Sequence, residues 1–416
     1  MRRSLEWLAP GLGLKRWVLL AFAGGVLLVY SVIFGIGVLW SPQLMRGLGM
    51  GWLENRHWAA LLLSVDGVAV GLFALLYGAR RVWLFQRTTP ESVSEIRAAA
   101  RLARGARVVA VGGGNGLAAL LRGLKSQTSN LTAVVTMADD GGSSGLLRRD
   151  MGMPPPGDLR NCLVALADDE SMMSRLFQYR FPEGGGLQGH SFGNLFMAAL
   201  SEVTGDFEHA VRESTRVLKV RGRVLPSTLE DVVLHAQLED GGHVSGESTI
   251  TAAERLPRRV WLTPDAPRGL PQAFAAIARA DLVVLGPGSL YTSVIPNVLV
   301  PEVRQAIADT RAWVVYVCNV MTEPGETDGY TAADHVAALH RHGLVGMIDA
   351  VLVNDAPVSE EMAASYERFG ARPVPVDDER LKALGVKVIR APVAAESGVV
   401  RHDSERLSRA LLRLVR

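Results

Sequence analysis

Asp139 and Asp140 stand side by side at the end of the apolar run Ala133–Met137, and Gly141-Gly142-Ser143-Ser144-Gly145 follows them. Adjacent carboxylates in such a place can hold a ribose hydroxyl or a Mg²⁺ ion that bridges phosphates. Three more clusters of small or polar residues end apolar runs in the same way. Val108–Val111 runs into Gly112-Gly113-Gly114-Asn115-Gly116, and Leu282–Leu285 into Gly286-Pro287-Gly288-Ser289 with hydroxyls on to Ser293. Trp313–Cys318 runs into Asn319 and the stretch Met321 to Thr327. Glycines at such places let backbone N–H groups close on an anion.

Short continuous β-branched runs read as buried parallel strands, and open α/β sheets bind ligands beyond the carboxyl ends of their strands. The four clusters then share one rim, which predicts a single large site for a phosphorylated ligand. Spacing excludes several alternatives. The dinucleotide fingerprint G-x-G-x-x-G is absent, which weighs against a nicotinamide oxidoreductase, and no Gly-Lys-Ser/Thr closes a P-loop. No serine has the G-x-S-x-G elbow of a nucleophilic hydrolase.

Two further motifs precede helices. In Pro156-Gly157-Asp158-Leu159-Arg160-Asn161, Asp158 is placed either as the helix N-cap or as a catalytic group. Arg160 and Asn161 then extend from the first turn, where an arginine can fork a phosphate. Gly189-His190-Ser191-Phe192-Gly193-Asn194 opens a helix over Leu195–Val203 and supports two readings. On the functional one, His190 acts as a general base or the helix end, with Asn194, holds an anion; on the other, Ser191 is the N-cap and His190 packs.

These motifs need an α/β frame, and the pattern supplies one. A helix is expected over Leu117–Lys125, a mostly helical stretch over Asp158–Leu218, and a β-hairpin insertion over Val224–Thr251 around Asp240-Gly241-Gly242. Strands at Leu282–Leu285, Trp313–Cys318, Ala350–Val353 and Val386–Arg390 alternate with helices, and an amphipathic helix closes Asp403–Arg416. The fold expected is Rossmann-like α/β, a mostly parallel sheet with helical and hairpin insertions, spanning residues 105–416.

Residues before it differ in composition. Trp17–Trp40 has no charged residue, and Trp58–Ala79 has only Asp66; each is long enough to cross roughly 30 Å of hydrocarbon. The first run is too long for a signal peptide's apolar core and lacks an Ala-x-Ala exit. Arg2, Arg3, Lys15 and Arg16 precede the first run, while Arg80, Arg81 and Arg87 follow the second, so both ends are expected in the cytoplasm. The reading is a transmembrane hairpin over 1–86, a linker helix over 87–104, and a cytoplasmic main domain tethered to the cell membrane. Asp66 is read as a polar residue tolerated in a tether. The net charge of +2 over 416 residues gives no argument for nucleic acid. Cys162 and Cys318 fit no ligand spacing and read as thiols in a reducing compartment.

Taken in order, Gly112–Leu117, Ala138–Gly145, Pro155–Cys162, Gly189–Asn194, Leu285–Pro296 and Tyr316–Tyr330 resemble the YvcK-like family, related to the CofD 2-phospho-L-lactate transferases. The resemblance covers about Ala106 to the C-terminus. It implies a Rossmann-like domain that binds UDP-sugars such as UDP-N-acetylglucosamine, or a dinucleotide, and a bacterial factor for cell shape and wall synthesis during gluconeogenic growth. It also implies that Tyr366 and Arg401 contact the nucleotide sugar. Protein partners expected are a second copy of the chain and cell-wall synthesis proteins. The leading reading is a nucleotide-sugar-binding regulatory factor. The alternative is a Mg²⁺-dependent transferase of a phosphoryl-linked group.

Overall fold

The computed structural model describes residues 15–40, 57–88, 99–167, 172–182, 184–396 and 399–415. The chain divides into two units, Met1–Arg101 and Leu102–Arg416. The loop over 41–56 and most of the expected linker helix lie outside the described residues.

The first unit contains helices α1 (Lys15–Trp40) and α2 (His57–Thr88). They are antiparallel: Trp17 meets Tyr77 edge-on at 5.7 Å, and the Ser64 hydroxyl donates to the Ser31 carbonyl at 3.1 Å. Both helices are long and apolar enough to cross a membrane, with mean hydropathies of 2.4 over Arg16–Val38 and 1.9 over Leu61–Leu84. Leu19, Phe22, Ile33, Leu62, Phe73 and Leu76 are exposed on this pair. Asp66 is exposed on α2 and is not buried against α1.

The second unit is built on a seven-stranded sheet in the order β10-β9-β8-β7-β1-β2-β3. The strands are β1 (Val108–Gly112), β2 (Leu131–Val135), β3 (Arg223–Pro226), β7 (Leu282–Leu285), β8 (Trp313–Val317), β9 (Ala350–Asn354) and β10 (Lys387–Ala391). Every pairing in it is parallel. β1, β2 and β7 are buried along their whole length, as their unbroken apolar runs require. From β1 the order runs to β2 and β3 on one side and to β7–β10 on the other. Right-handed crossovers in opposite directions put helices on both faces and leave a crevice between the carboxyl ends of β1 and β7. Those ends carry the first and third glycine clusters.

The expected hairpin insertion is a three-stranded antiparallel sheet, β5-β4-β6, made of β4 (Val233–Leu238), β5 (His243–Ser245) and β6 (Pro257–Thr263). Its turn falls at Glu239–Gly242 as the sequence suggested, but β3, inside the expected insertion, pairs with β2 in the main sheet. A two-stranded ladder of β11 (Ala394–Glu396) and β12 (Val400–His402) precedes the C-terminal helix Ser404–Leu412. Burial of this helix through Leu407, Leu411 and Leu412 follows the amphipathic spacing of the tail.

Candidate functional site

A cleft of about 790 Å³ opens at the carboxyl ends of β1, β2, β7 and β8, within the size range of small-molecule sites. Each strand delivers one cluster. β1 leads through Gly113 into helix α3 (Gly114–Leu124), whose first turn has no side-chain cap. The N–H groups of Asn115 and Gly116 there are the kind that an anion satisfies. A Cβ on Gly116 would stand 2.6 Å from the Pro287 carbonyl oxygen, and one on Gly113 would run into Asp158 Oδ2. Glycine at these two positions therefore allows the β1 loop to close on its neighbours.

Asn319, after β8, crosses to the β7 loop. Its Nδ2 donates to the Gly288 carbonyl at 3.1 Å and to Glu323 Oε1 at 3.2 Å, and its Oδ1 accepts the Gly288 N–H at 3.4 Å. Beneath that loop, Glu326 accepts the Tyr291 N–H at 3.2 Å and the Thr292 hydroxyl at 2.7 Å. Burial, reinforced by Glu323, pushes Glu326 up to about 8. Burial also raises Glu323, against the pull of the Ser289 hydroxyl.

Of the residues singled out from the sequence, Gly113, Gly114, Asn115, Gly116, Asp139, Gly288, Ser289, Asn319, Tyr366 and Arg401 line the cleft. Gly112 and Gly286 face one another behind it. Asp140 turns toward the insertion, where its carboxylate accepts the Ser248 N–H at 2.8 Å. Ser143, Ser144, Arg160, Asn161, His190 and Asn194 form a second network that does not line the cleft. The Ser143 hydroxyl lies 3.1 Å from His190 Nδ1 and accepts from Asn194 Nδ2 at 3.0 Å. Ser144 accepts the Gly157 N–H at 3.1 Å. Arg160 is buried, donates to Ser191 Oγ and to Asn161 Oδ1, and is lowered to about 10 by burial and then by Arg180. The Ser191 hydroxyl caps the helix Phe192–Thr204 through the Asn194 N–H. Ser191 is thus the N-cap, while His190 is half-buried with its ring against the Ser143 hydroxyl rather than packed away.

One expectation is overturned. Asp158 is not an N-cap: Pro156 holds that position, and Asp158 sits inside the first turn facing Gly113 and the cleft. Burial, then the charge of Asp139, drives its carboxyl up to about 7, against the pull of the Gly114 N–H and Arg160. Glu247, at the first turn after β5, joins it and is likewise pushed to about 7 by burial, then by Asp139, Asp140 and Asp158. Asp139, Asp158, Glu247 and Glu323 all line the cleft, whereas among the described residues Arg401 is the one arginine or lysine lining it. Such a site is short of positive charge. Among the described residues, no three His, Cys, Asp or Glu side chains converge closely enough to ligate one metal ion by themselves.

Part of the lining is apolar. Met321, Tyr366, Phe369, Val399 and Val400 contribute to it, and Phe369 is 75% exposed. His402 is pushed down to about 4 by burial, and its Nε2 lies 3.2 Å from the Cys318 carbonyl, so the ring is neutral with the proton on that nitrogen. Sequence reading missed Glu247, which follows an edge strand of the insertion with no signal in spacing, and Phe369 and His402. Glu323 and Glu326 lay in a recognised stretch without an assigned role.

Residues 108–394 match the family model described as 2-phospho-L-lactate transferase CofD. The chain belongs to the CofD family. Within it, a Bacillus subtilis protein named "Gluconeogenesis factor" is 50% identical over 74% of this chain and 98% of its own length. A relative from Nostoc sp. is 45% identical over 98% of this chain and 92% of its own length, so it also has a counterpart of the N-terminal helices. The crystal structure of protein BH3568 from Bacillus halodurans, 49% identical, superposes with a TM-score of 0.72 over 74% of this chain and all of its own. The α/β unit thus corresponds to a whole protein in some relatives, and the helical hairpin is added in others.

Proposed function

We propose that this chain is a membrane-tethered, cytoplasmic nucleotide-sugar-binding regulatory factor acting in cell shape and wall synthesis under gluconeogenic growth. The observation that carries the reading is the mixed lining of one cleft. The uncapped first turn of α3, with the Asn115 and Gly116 N–H groups, borders it. An exposed aromatic, several apolar side chains and Arg401 border it as well. A nucleoside diphosphate sugar offers matching chemistry, a charged diphosphate and a flat apolar base. No cysteine or G-x-S-x-G serine lines the cleft among the described residues, which favours binding over nucleophilic chemistry. The names of the relatives agree with a role in gluconeogenic growth.

Mg²⁺ fits the cleft's chemistry. Asp139, with Asp158 or Glu247, offers carboxylates that form no ion pair among the described residues, and Mg²⁺ binds through one or two carboxylates plus ligand phosphates. A divalent ion there would offset the repulsion between those acids and a diphosphate. Titration calorimetry of UDP-N-acetylglucosamine into the purified full chain, with and without Mg²⁺, tests the reading. Saturable binding is expected, tighter with Mg²⁺; no heat in either condition sinks it. The second reading, a Mg²⁺-dependent transferase of a phosphoryl-linked group, is favoured by the CofD match. Turnover of a nucleoside-diphosphate-linked donor in the presence of acceptors would select it.

A further inference from the structure

Tyr366 lines the cleft, yet its hydroxyl is already spent on the protein. Its oxygen accepts the Val400 N–H at 2.9 Å and its O–H reaches the Val400 carbonyl at 3.4 Å. In a strand both backbone groups of one residue point the same way. Tyr366 therefore closes the outer edge of β12 at Val400, while the adjoining residue Arg401 turns its backbone toward Ala395 of β11. The other strand is fastened to the same helix, Glu360–Glu367. Glu396 of β11 accepts from the Ser359 N–H at 2.7 Å and from the Ser359 hydroxyl at 2.6 Å, at that helix's N-cap. A ladder of three residues per strand is too short to hold itself. Two anchors on one helix fix it, and it carries Arg401 into the cleft together with Val400 and His402. Arg401 makes no ion pair or side-chain hydrogen bond among the described residues, so nothing but its backbone sets its place.

We propose that Tyr366 is a positioning residue whose hydroxyl holds β12 so that the Arg401 guanidinium faces the ligand's anionic groups. This rests on the nucleotide-sugar reading of the same cleft and revises the expectation that Tyr366 itself bonds the sugar. An arginine aimed at phosphate contributes through charge and fork geometry, and both are lost when its strand wanders.

The experiment compares wild type, Tyr366→Phe, Arg401→Ala and the double variant as full chains in detergent. One arm follows hydrogen exchange of the peptide containing Val400, and the other measures UDP-N-acetylglucosamine affinity by calorimetry with Mg²⁺. Tyr366→Phe keeps the ring and removes only the hydroxyl. Val400 exchange is expected to quicken on the order of tenfold, and affinity to fall by a similar factor, the usual scale for one lost hydrogen bond. Because Tyr366 acts through Arg401, the double variant should bind no more weakly than Arg401→Ala alone. Unchanged Val400 exchange overturns the strut whatever the ligand. Losses that multiply in the double variant show a direct contact between Tyr366 and ligand, and overturn the positioning role. If wild type gives no heat, the nucleotide-sugar reading fails together with Arg401's proposed target, and exchange alone then decides whether Tyr366 holds β12.

Discussion

Replacing Asp158 with Asn should stabilise the ligand-free protein most at pH 8 and by well under half as much at pH 5. In the fold the Asp158 carboxyl is driven from 3.8 to about 7, first by burial and then by Asp139. Between those two values the native state holds a proton that the unfolded state has released. Stability therefore falls as pH rises through that window and stays low above it. A displacement of about 3 units is worth on the order of 4 kcal/mol. Glu247 and Asp139 share the same field, and relaxation of one eases the others, so about half of that, roughly 2 kcal/mol, is the working figure. The amide keeps an oxygen for the Gly114 N–H and occupies the same volume, so packing terms cancel.

The assay is thermal unfolding of wild type and Asp158→Asn in chelator, stepped from pH 5 to pH 8. The variant's advantage should grow to roughly 4 °C at pH 8, given the few degrees per kcal/mol of a domain this large. Adding Mg²⁺ at pH 8 should raise wild type more than the variant, because the ion restores what the carboxylates lack. A difference that is flat with pH, or a variant less stable at pH 8, would refute the argument. Asp158 would then be an ordinary ionised residue, and the reading of an acid-rich cleft short of cations would be wrong.

Three further outcomes follow from the same geometry. Asp139→Asn should cost Mg²⁺-dependent affinity for UDP-N-acetylglucosamine by tenfold or more in calorimetry, on the order of one charge-assisted contact, whereas Asp140→Asn should cost far less because that carboxylate serves Ser248. Gly116→Ala should destabilise by about 1–3 kcal/mol in denaturant melts, since its Cβ meets a backbone carbonyl that cannot swing away; an unchanged midpoint would show the two glycine loops to be slack. Removing the residues before Arg87 should leave ligand affinity intact while the protein leaves the membrane fraction. Reporter fusions after Arg104 and within Ser41–His57 should give cytoplasmic and external signals respectively, and an external signal at Arg104 would overturn both topology and ligand.

The sheet was legible because its order is written in unbroken β-branched runs, each stopped by glycine or acid. Val108–Val111 and Leu282–Leu285 are never adjacent in sequence, yet both had to be central strands, since nothing polar interrupts them. What stayed hidden is what long-range packing decides. The Val224 segment reads as part of a hairpin by alternation, but β3 finds its partner in β2 because the parallel edge there is open. Asp158 has the local grammar of an N-cap, following Pro and Gly and leading into a helical run. The helix starts two residues earlier than such a cap allows, at Gly157, and that offset converts a solvated cap into a buried acid in a cleft.

Glu247 shows why the acidic end of the site could not be read at all. It lies more than a hundred residues from Asp139, in an insertion that no strand periodicity ties to the rim, and only the turn after β5 carries it there. The recognised motifs supply donors for phosphate; the unrecognised residues supply charge that repels it. A cleft with both must have its affinity set by a third component, a cation or protons, rather than by the glycine loops alone. Burial and mutual repulsion hold Asp158 and Glu247 near 7, so small changes of pH or of divalent ion near neutrality would change how many of these acids are charged. Under the proposed function, that places control of ligand binding in the carboxylates that the insertion and the Asp158 helix bring to the site.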